Sequence, residues 1–125
     1  MLRSKRYLIL ASLSIISLSS FSQLKKAEIK ELMYKGDNLI SAGNFSSAKE
    51  SFATLLNNYP ENELYQFRMA ICNTQSKLNK KEALASLQKL ELSKNKKDLE
   101  DLDYYIAIGY YQNYNFEKSK EKFEK

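Results

Sequence analysis

The 125-residue chain has no histidine and no tryptophan, one cysteine, one proline and three glycines. Each scarcity removes a class of function. Without histidine there is no ordinary general base near neutral pH, no imidazole metal ligand, and no Ser-His-Asp or Cys-His pair. With Cys72 as the sole cysteine no internal disulfide can form, so stability has to come from packing. Its neighbours Ala70 and Ile71 suggest a buried small residue, the alternative being a reactive or intermolecular thiol. The glycines Gly36, Gly43 and Gly109 are isolated, which excludes a phosphate-cradling loop and leaves packing or turns as their uses.

An excess of charge of one sign is also missing. The formal charge is +5, but three of the 20 basic residues and no acidic ones lie within residues 1–22, leaving 17 against 15, or +2, for the rest. Lysine and glutamate are interspersed there, as on solvated helix faces, and a nucleic-acid partner is not expected. The acidic residues gather at Glu61 and Glu63 and at Asp98, Glu100, Asp101 and Asp103. A cation site or an acid/base carboxylate pair is one reading. Negative charge at helix N-termini, where the helix dipole favours it, is the reading preferred. Lys94, Lys96 and Lys97 precede the second cluster and belong to a solvated linker. No cofactor and no metal is expected.

Arg3, Lys5 and Arg6, an 11-residue apolar run from Leu8 to Leu18, and Ser20 and Ser22 at a small-residue junction describe a secretory signal peptide over residues 1–22. The run is too short for a membrane span, which needs about 20 residues. No cysteine stands near the junction, so a lipid anchor there is not expected. The chain then reads as exported to the periplasm or cell envelope, with no transmembrane span once the leader is removed.

From Leu24 onward, Ile29, Leu32, Met33, Gly36, Leu39 and Ile40 recur at three- and four-residue intervals, one face of a helix. Gly43 ends it, Asn44 or Ser46 caps the next, and that helix carries Phe45, Ala48, Phe52, Leu55, Leu56 and Tyr59 until Pro60 stops it. So short a loop forces the two helices antiparallel. The plan recurs with Leu64, Phe67, Ala70, Ile71 and Thr74, an interruption at Leu78-Asn79, then Ala83, Leu84, Leu87 and Leu90. A third copy places Tyr104, Tyr105, Ile108 and Tyr111 on a first helix, turns at Asn113 and Asn115, and returns with Phe116, Ser119 and Phe123. Ala48, Ala83 and Ser119 are 35 and 36 residues apart, as are Phe52, Leu87 and Phe123. The expected fold is all-α: tandem antiparallel helix hairpins in units of about 29–62, 63–97 and 98–125, the last incomplete, within a domain spanning 23–125.

The residues Gly36, Leu39, Gly43, Phe45, Ala48, Phe52, Leu55 and Pro60 resemble the tetratricopeptide repeat pattern, with Leu32 where that pattern often has tryptophan. The second unit keeps Ala70, Ala83 and Leu87, and the third keeps Ala107, Phe116 and Phe123 with Ser119 for the small alanine. The resemblance covers Ile29 to Lys125 and implies about three repeats in a right-handed superhelix, whose first helices line a concave side. By the family's pattern the concave positions are Met33, Asp37 and Ile40, then Arg68 and Cys72, then Tyr104, Ile108 and Tyr111, with Asp37 and Arg68 as polar anchors and Tyr104 and Tyr111 as apolar ones. Phe67 to Cys72, Tyr110 to Phe116 and the Ser-Phe-Ser-Gln leader junction are similar to the N-terminal repeat region of exported Bacteroidetes envelope proteins, in which repeats precede a β-propeller and an OmpA-like domain.

Tyr104, Tyr105, Tyr110, Tyr111 and Tyr114 crowd the third unit, either as inter-helix packing or as a binding surface. Two adjacent tyrosines cannot both face one core. No polar helix covers the last hairpin, as repeat arrays generally require. That favours a fragment of a longer protein over an exposed end that pairs with a partner. The function expected is a non-enzymatic scaffold binding a protein segment on the concave face. The alternative is a structural spacer or dimerisation module, possible as a homo-oligomer, in a larger OmpA-like, envelope or secretion-system assembly.

Overall fold

The apolar spacing at three and four residues is realised as helix throughout. The computed structural model describes residues 23–76 and 78–125, and the expected leader at 1–22 lies outside them. Among the described residues the elements are α1 (Lys26–Ser41), α2 (Phe45–Asn58), α3 (Glu63–Thr74), α4 (Lys80–Glu91), a 3-10 turn (Lys96–Asp98), α5 (Leu102–Gln112) and α6 (Phe116–Phe123), with no strand. Among them, no helix is long and apolar enough to cross a membrane.

Local chemistry sets the boundaries. Gly43 takes a left-handed backbone at φ 75°. There its N–H donates to the carbonyl of Ile40 at 2.9 Å and the N–H of Asn44 donates to that of Leu39 at 2.8 Å, the paired bonds of a Schellman end. The Asn44 side chain then accepts from the Ser47 N–H and opens α2. Asn62 and Asn115 cap α3 and α6 in the same way, accepting from Tyr65 and Lys118. The α5–α6 turn repeats the first turn bond for bond, from Tyr114 N–H to Tyr111 and from Asn115 N–H to Tyr110. Its left-handed residue at φ 64° is Tyr114, not glycine. Between α3 and α4 the connection is longer, running from the end cap Gln75 to the start cap Asn79.

Consecutive helices pack in pairs, and each pair packs on the next. In the last pair the ring of Tyr104 lies 5.9 Å from that of Phe123, and Tyr111 lies 5.3 Å from Phe116. One number rises as the other falls, so α5 and α6 run antiparallel. Two apolar cores result. The first joins Ala48, Phe52 and Leu55 of α2 to Tyr65 and Cys72 of α3, with Ile29, Leu32, Met33 and Leu39 of α1 packed against them. The second joins Phe67, Ala70 and Ile71 of α3 to Leu87 and Leu90 of α4 and to Leu99, Leu102 and Ile106. Each large side chain so buried contributes about 1.5–3 kcal/mol. Polar ties cross between the later helices: Ser119 Oγ donates to the Ala107 carbonyl at 2.8 Å, and Asn113 Nδ2 to the Lys80 carbonyl at 3.2 Å.

The repeat positions Ala48, Phe52, Ala70, Ala83, Leu87 and Ser119 are all buried, whereas Phe116 and Phe123 are exposed. The inward face of α5 also differs from the face expected. Leu102, Ile106, Ala107 and Gly109 are buried, and Tyr104 and Tyr111 are exposed. Helical spacing alone could not choose between these faces, because apolar residues fill the α5 sequence on every side.

Gly36 sits against the ring of Phe52, and a Cβ added there would lie 2.6 Å from the ring. Phe52 has no exposed surface and no room to retreat. Gly36→Ala should therefore destabilise by about 1–3 kcal/mol in urea unfolding. Tyr114→Gly should do the opposite, raising stability by about 0.5 kcal/mol, because relief of the left-handed penalty on a residue with a Cβ outweighs the greater chain entropy that glycine loses on folding.

Candidate functional site

A groove of about 270 Å3 runs across the first helices of the three pairs. Asp37, Ile40 and Ser41 of α1, Arg68 and Ile71 of α3, and Glu100, Asp101 and Tyr105 at the start of α5 line it. The helical period brings Arg68 and Ile71 to one side of α3, as it does Asp37, Ile40 and Ser41 on α1. Arg68 Nε donates to Asp37 Oδ1 at 2.7 Å, spanning α1 to α3. The guanidinium carbon lies 5.8 Å from the Phe67 ring centre. Because both partners of this ion pair keep contact with solvent, it contributes under about 1 kcal/mol to folding. Its role is to set the floor of the groove.

Tyr105 forms one wall. Its ring meets Phe67 edge to face at 5.8 Å and Tyr104 at 5.3 Å. Burial, with neighbouring Tyr104 and Asp101 adding to it, holds the Tyr105 phenol above its ordinary value, so its hydroxyl stays protonated and available as a donor. With Arg68 already paired to Asp37, the carboxylates of Glu100 and Asp101 leave the groove negative.

Of the concave positions expected from the family pattern, Asp37, Ile40 and Arg68 come together here. Met33 is half-buried against the first core. Cys72 is fully buried and has no surface to offer a partner, while Ile71, one residue earlier, lines the groove. Tyr104 and Tyr111 are exposed but turn towards Phe123 and Phe116 of α6, and Ile108 of the same helix is half-buried and does not line the groove. The sequence reading missed Ile71, Glu100, Asp101 and Tyr105. For Ile71 the available signal was its position three residues after Arg68, which puts both on one side of α3.

A wider recess of about 540 Å3 lies beside the start of α5 and the end of α6. Its walls carry Glu91, Glu100, Asp101 and Asp103 against Lys96, Lys97, Lys122 and Lys125, an even balance. Lys122 bridges Glu91 and Asp103, donating to the latter at 3.2 Å. Burial opposes its charge, but the two carboxylates outweigh burial and hold the ammonium above its ordinary value. Lys122 so satisfies Glu91 and Asp103, and no ligand is implied. Among the described residues, no cluster of three or more His, Cys, Asp or Glu side chains is placed to hold a metal ion.

No protein-family model, curated protein or solved structure matches the chain.

Burial pushes the Cys72 thiol up to about 11 from an ordinary 9.0, against the opposing pull of Lys49. The folded chain holds this proton more tightly than the unfolded chain does. The stability so contributed is complete below pH 9.0 and is lost as pH rises through about 11. The melting temperature should fall across that window, and fall less in Cys72→Ala. At pH 8 the native thiol should resist alkylation that is rapid in denaturant. Rapid alkylation of the native protein would contradict the buried placement.

Proposed function

We propose that this protein is a non-enzymatic peptide-binding scaffold of the tetratricopeptide type, exported to the periplasm or cell envelope. The observation that carries this reading is the groove lined by one first helix from each pair, floored by the Asp37–Arg68 pair and walled by Tyr105. Consecutive helix pairs, the buried small residues Gly36, Ala48 and Ala83 at the helix contacts, and the 35- and 36-residue spacing support the repeat class. Export rests on residues 1–22, which have the three regions of a leader. The absence of histidine and the raised Cys72 thiol leave the groove without an activated nucleophile.

The groove's chemistry narrows the partner. Ile40 and Ile71 offer apolar contact, and Glu100 and Asp101 offer negative charge. A segment with an aliphatic or aromatic residue flanked by lysine or arginine satisfies both. The exposed aromatic face of α5 and α6 favours a second reading, a spacer or dimerisation element of a larger envelope or secretion-system assembly.

Peptide display against the immobilised protein tests the first reading. Peptides joining one apolar anchor to basic residues should be enriched. The variant carrying Glu100→Gln and Asp101→Asn should bind them at least tenfold more weakly with unchanged helicity. Asparagine is apt at 101 because the native backbone there is left-handed, at φ 66°. Selection of acidic peptides, or affinity indifferent to both substitutions, would remove the groove from the account.

A further inference from the structure

The charged residues lining the groove are Asp37 on α1, Glu100 and Asp101 at the start of α5, and Arg68 on α3 between them. Acids therefore stand on both walls, with the apolar Ile40 and Ile71 also in the lining. Carboxylates alone would give the groove two cation positions, one on the α1 wall and one on the α5 wall. Arg68 changes that count, because its Nε donates to Asp37 Oδ1 at 2.7 Å, a charge-assisted bond of full strength in its geometry. The Asp37 side chain is nevertheless 43% exposed, so a ligand's cation would reach its carboxylate if the guanidinium were not there. The charge of Arg68 is also felt across the groove. Burial, with Tyr104 and Asp101 adding to it, raises the Tyr105 phenol, and Arg68 opposes them.

We propose that Arg68 fills the α1-side cation position from within the chain, and so restricts the groove to segments with a basic residue on one side only of the apolar anchor. The inference rests on the groove being a peptide site. A lysine brought to the α1 wall meets a carboxylate that is already matched and a guanidinium of its own sign, so attraction and repulsion nearly cancel. A lysine brought to the α5 wall meets Glu100 and Asp101, whereas the ion pair of Arg68 is made with Asp37. Arg68 is thus the repulsive element that specificity commonly needs beside the attractive one. It also fixes which way round the ligand lies. With a single wall open to a cation, the order of anchor and basic residue sets the direction of the bound chain.

Three acetylated, amidated nonapeptides of glycine and serine with a central isoleucine test the proposal. They carry a lysine two residues before the isoleucine, a lysine two residues after it, or both. Titration followed by nuclear magnetic resonance at low salt reads the affinities. In the native protein the two-lysine peptide should bind within about twofold of the better single-lysine peptide. Arg68→Gln should bind the two-lysine peptide about fivefold more tightly than the native protein does, the most that a solvent-touched ion pair returns. Asp37→Asn should bind every lysine peptide about threefold more weakly, because the guanidinium then faces the groove without its counter-charge. Both variants break the same pair, so a purely structural role would move them in one direction. The pair adds little to folding, and dichroism should show unchanged helicity in both. A second lysine that strengthens native binding as much as the first would overturn the proposal, as would the same direction of change in both variants. Lysine peptides bound as before by the protein carrying Glu100→Gln and Asp101→Asn, or no binding of any of the three, would remove the groove reading itself and this proposal with it.

Discussion

The structure depends on α3 being buried on two sides at once. Tyr65 and Cys72 face the first pair, and Phe67, Ala70 and Ile71 face the second core. A helix in that position cannot be amphipathic in the usual sense, because it has no broad polar stripe to give to water. Glu63, Gln66, Arg68 and Asn73 are its half-buried polar residues, and of these Arg68 enters the groove. Its head reaches the surface where α1, α3 and α5 converge, and its guanidinium lies against Phe67 and pairs with Asp37. The groove is thus a by-product of the core. The helix that holds the two cores together presents Arg68 at its edge, and that edge is the groove floor.

The two ends of the chain differ in how far this plan is completed. The first pair is closed by α3, and the ring of Phe52 fills the space against Gly36. The last pair closes inward through Leu102 and Ile106, and through Gly109, which allows α5 to approach Leu84. Its outward face has aromatic rungs and no cover. Lys122 stabilises this end from the inside, tying α6 to Glu91 of α4 and Asp103 of α5. The outward face can therefore be polarised or substituted without unlocking the pair.

Much of the helical layout was legible because its signals are local. Gly43 and Asn44 act through their own backbone and side chain, and Pro60 through its missing N–H, so the first turn and the end of α2 could be read directly. The acidic residues Glu63 and Asp103 do sit in first helical turns. What was not legible depended on distance. Cys72 is drawn into the first core by Ala48, Phe52 and Leu55 of α2, so the groove side of α3 falls at Arg68 and Ile71, not at Arg68 and Cys72. On α5 tyrosines and aliphatics both carry large apolar surface, and the neighbours Leu87, Leu90 and Leu84 decide which set goes inside. Lys122 finds Glu91 across 31 positions of sequence, a pairing no local pattern announces.

The first pair and the last pair share no packing comparable to what each makes with the middle one. Bending of the molecule is therefore confined to two joints, α2 on α3 and α4 with α3 on α5, and the width of the cleft over Arg68 varies with that bend. A ligand seated between α1 and α5 would act as a wedge that fixes the curvature. Conversely, any tension that straightens the array would reshape the cleft without touching a residue in it.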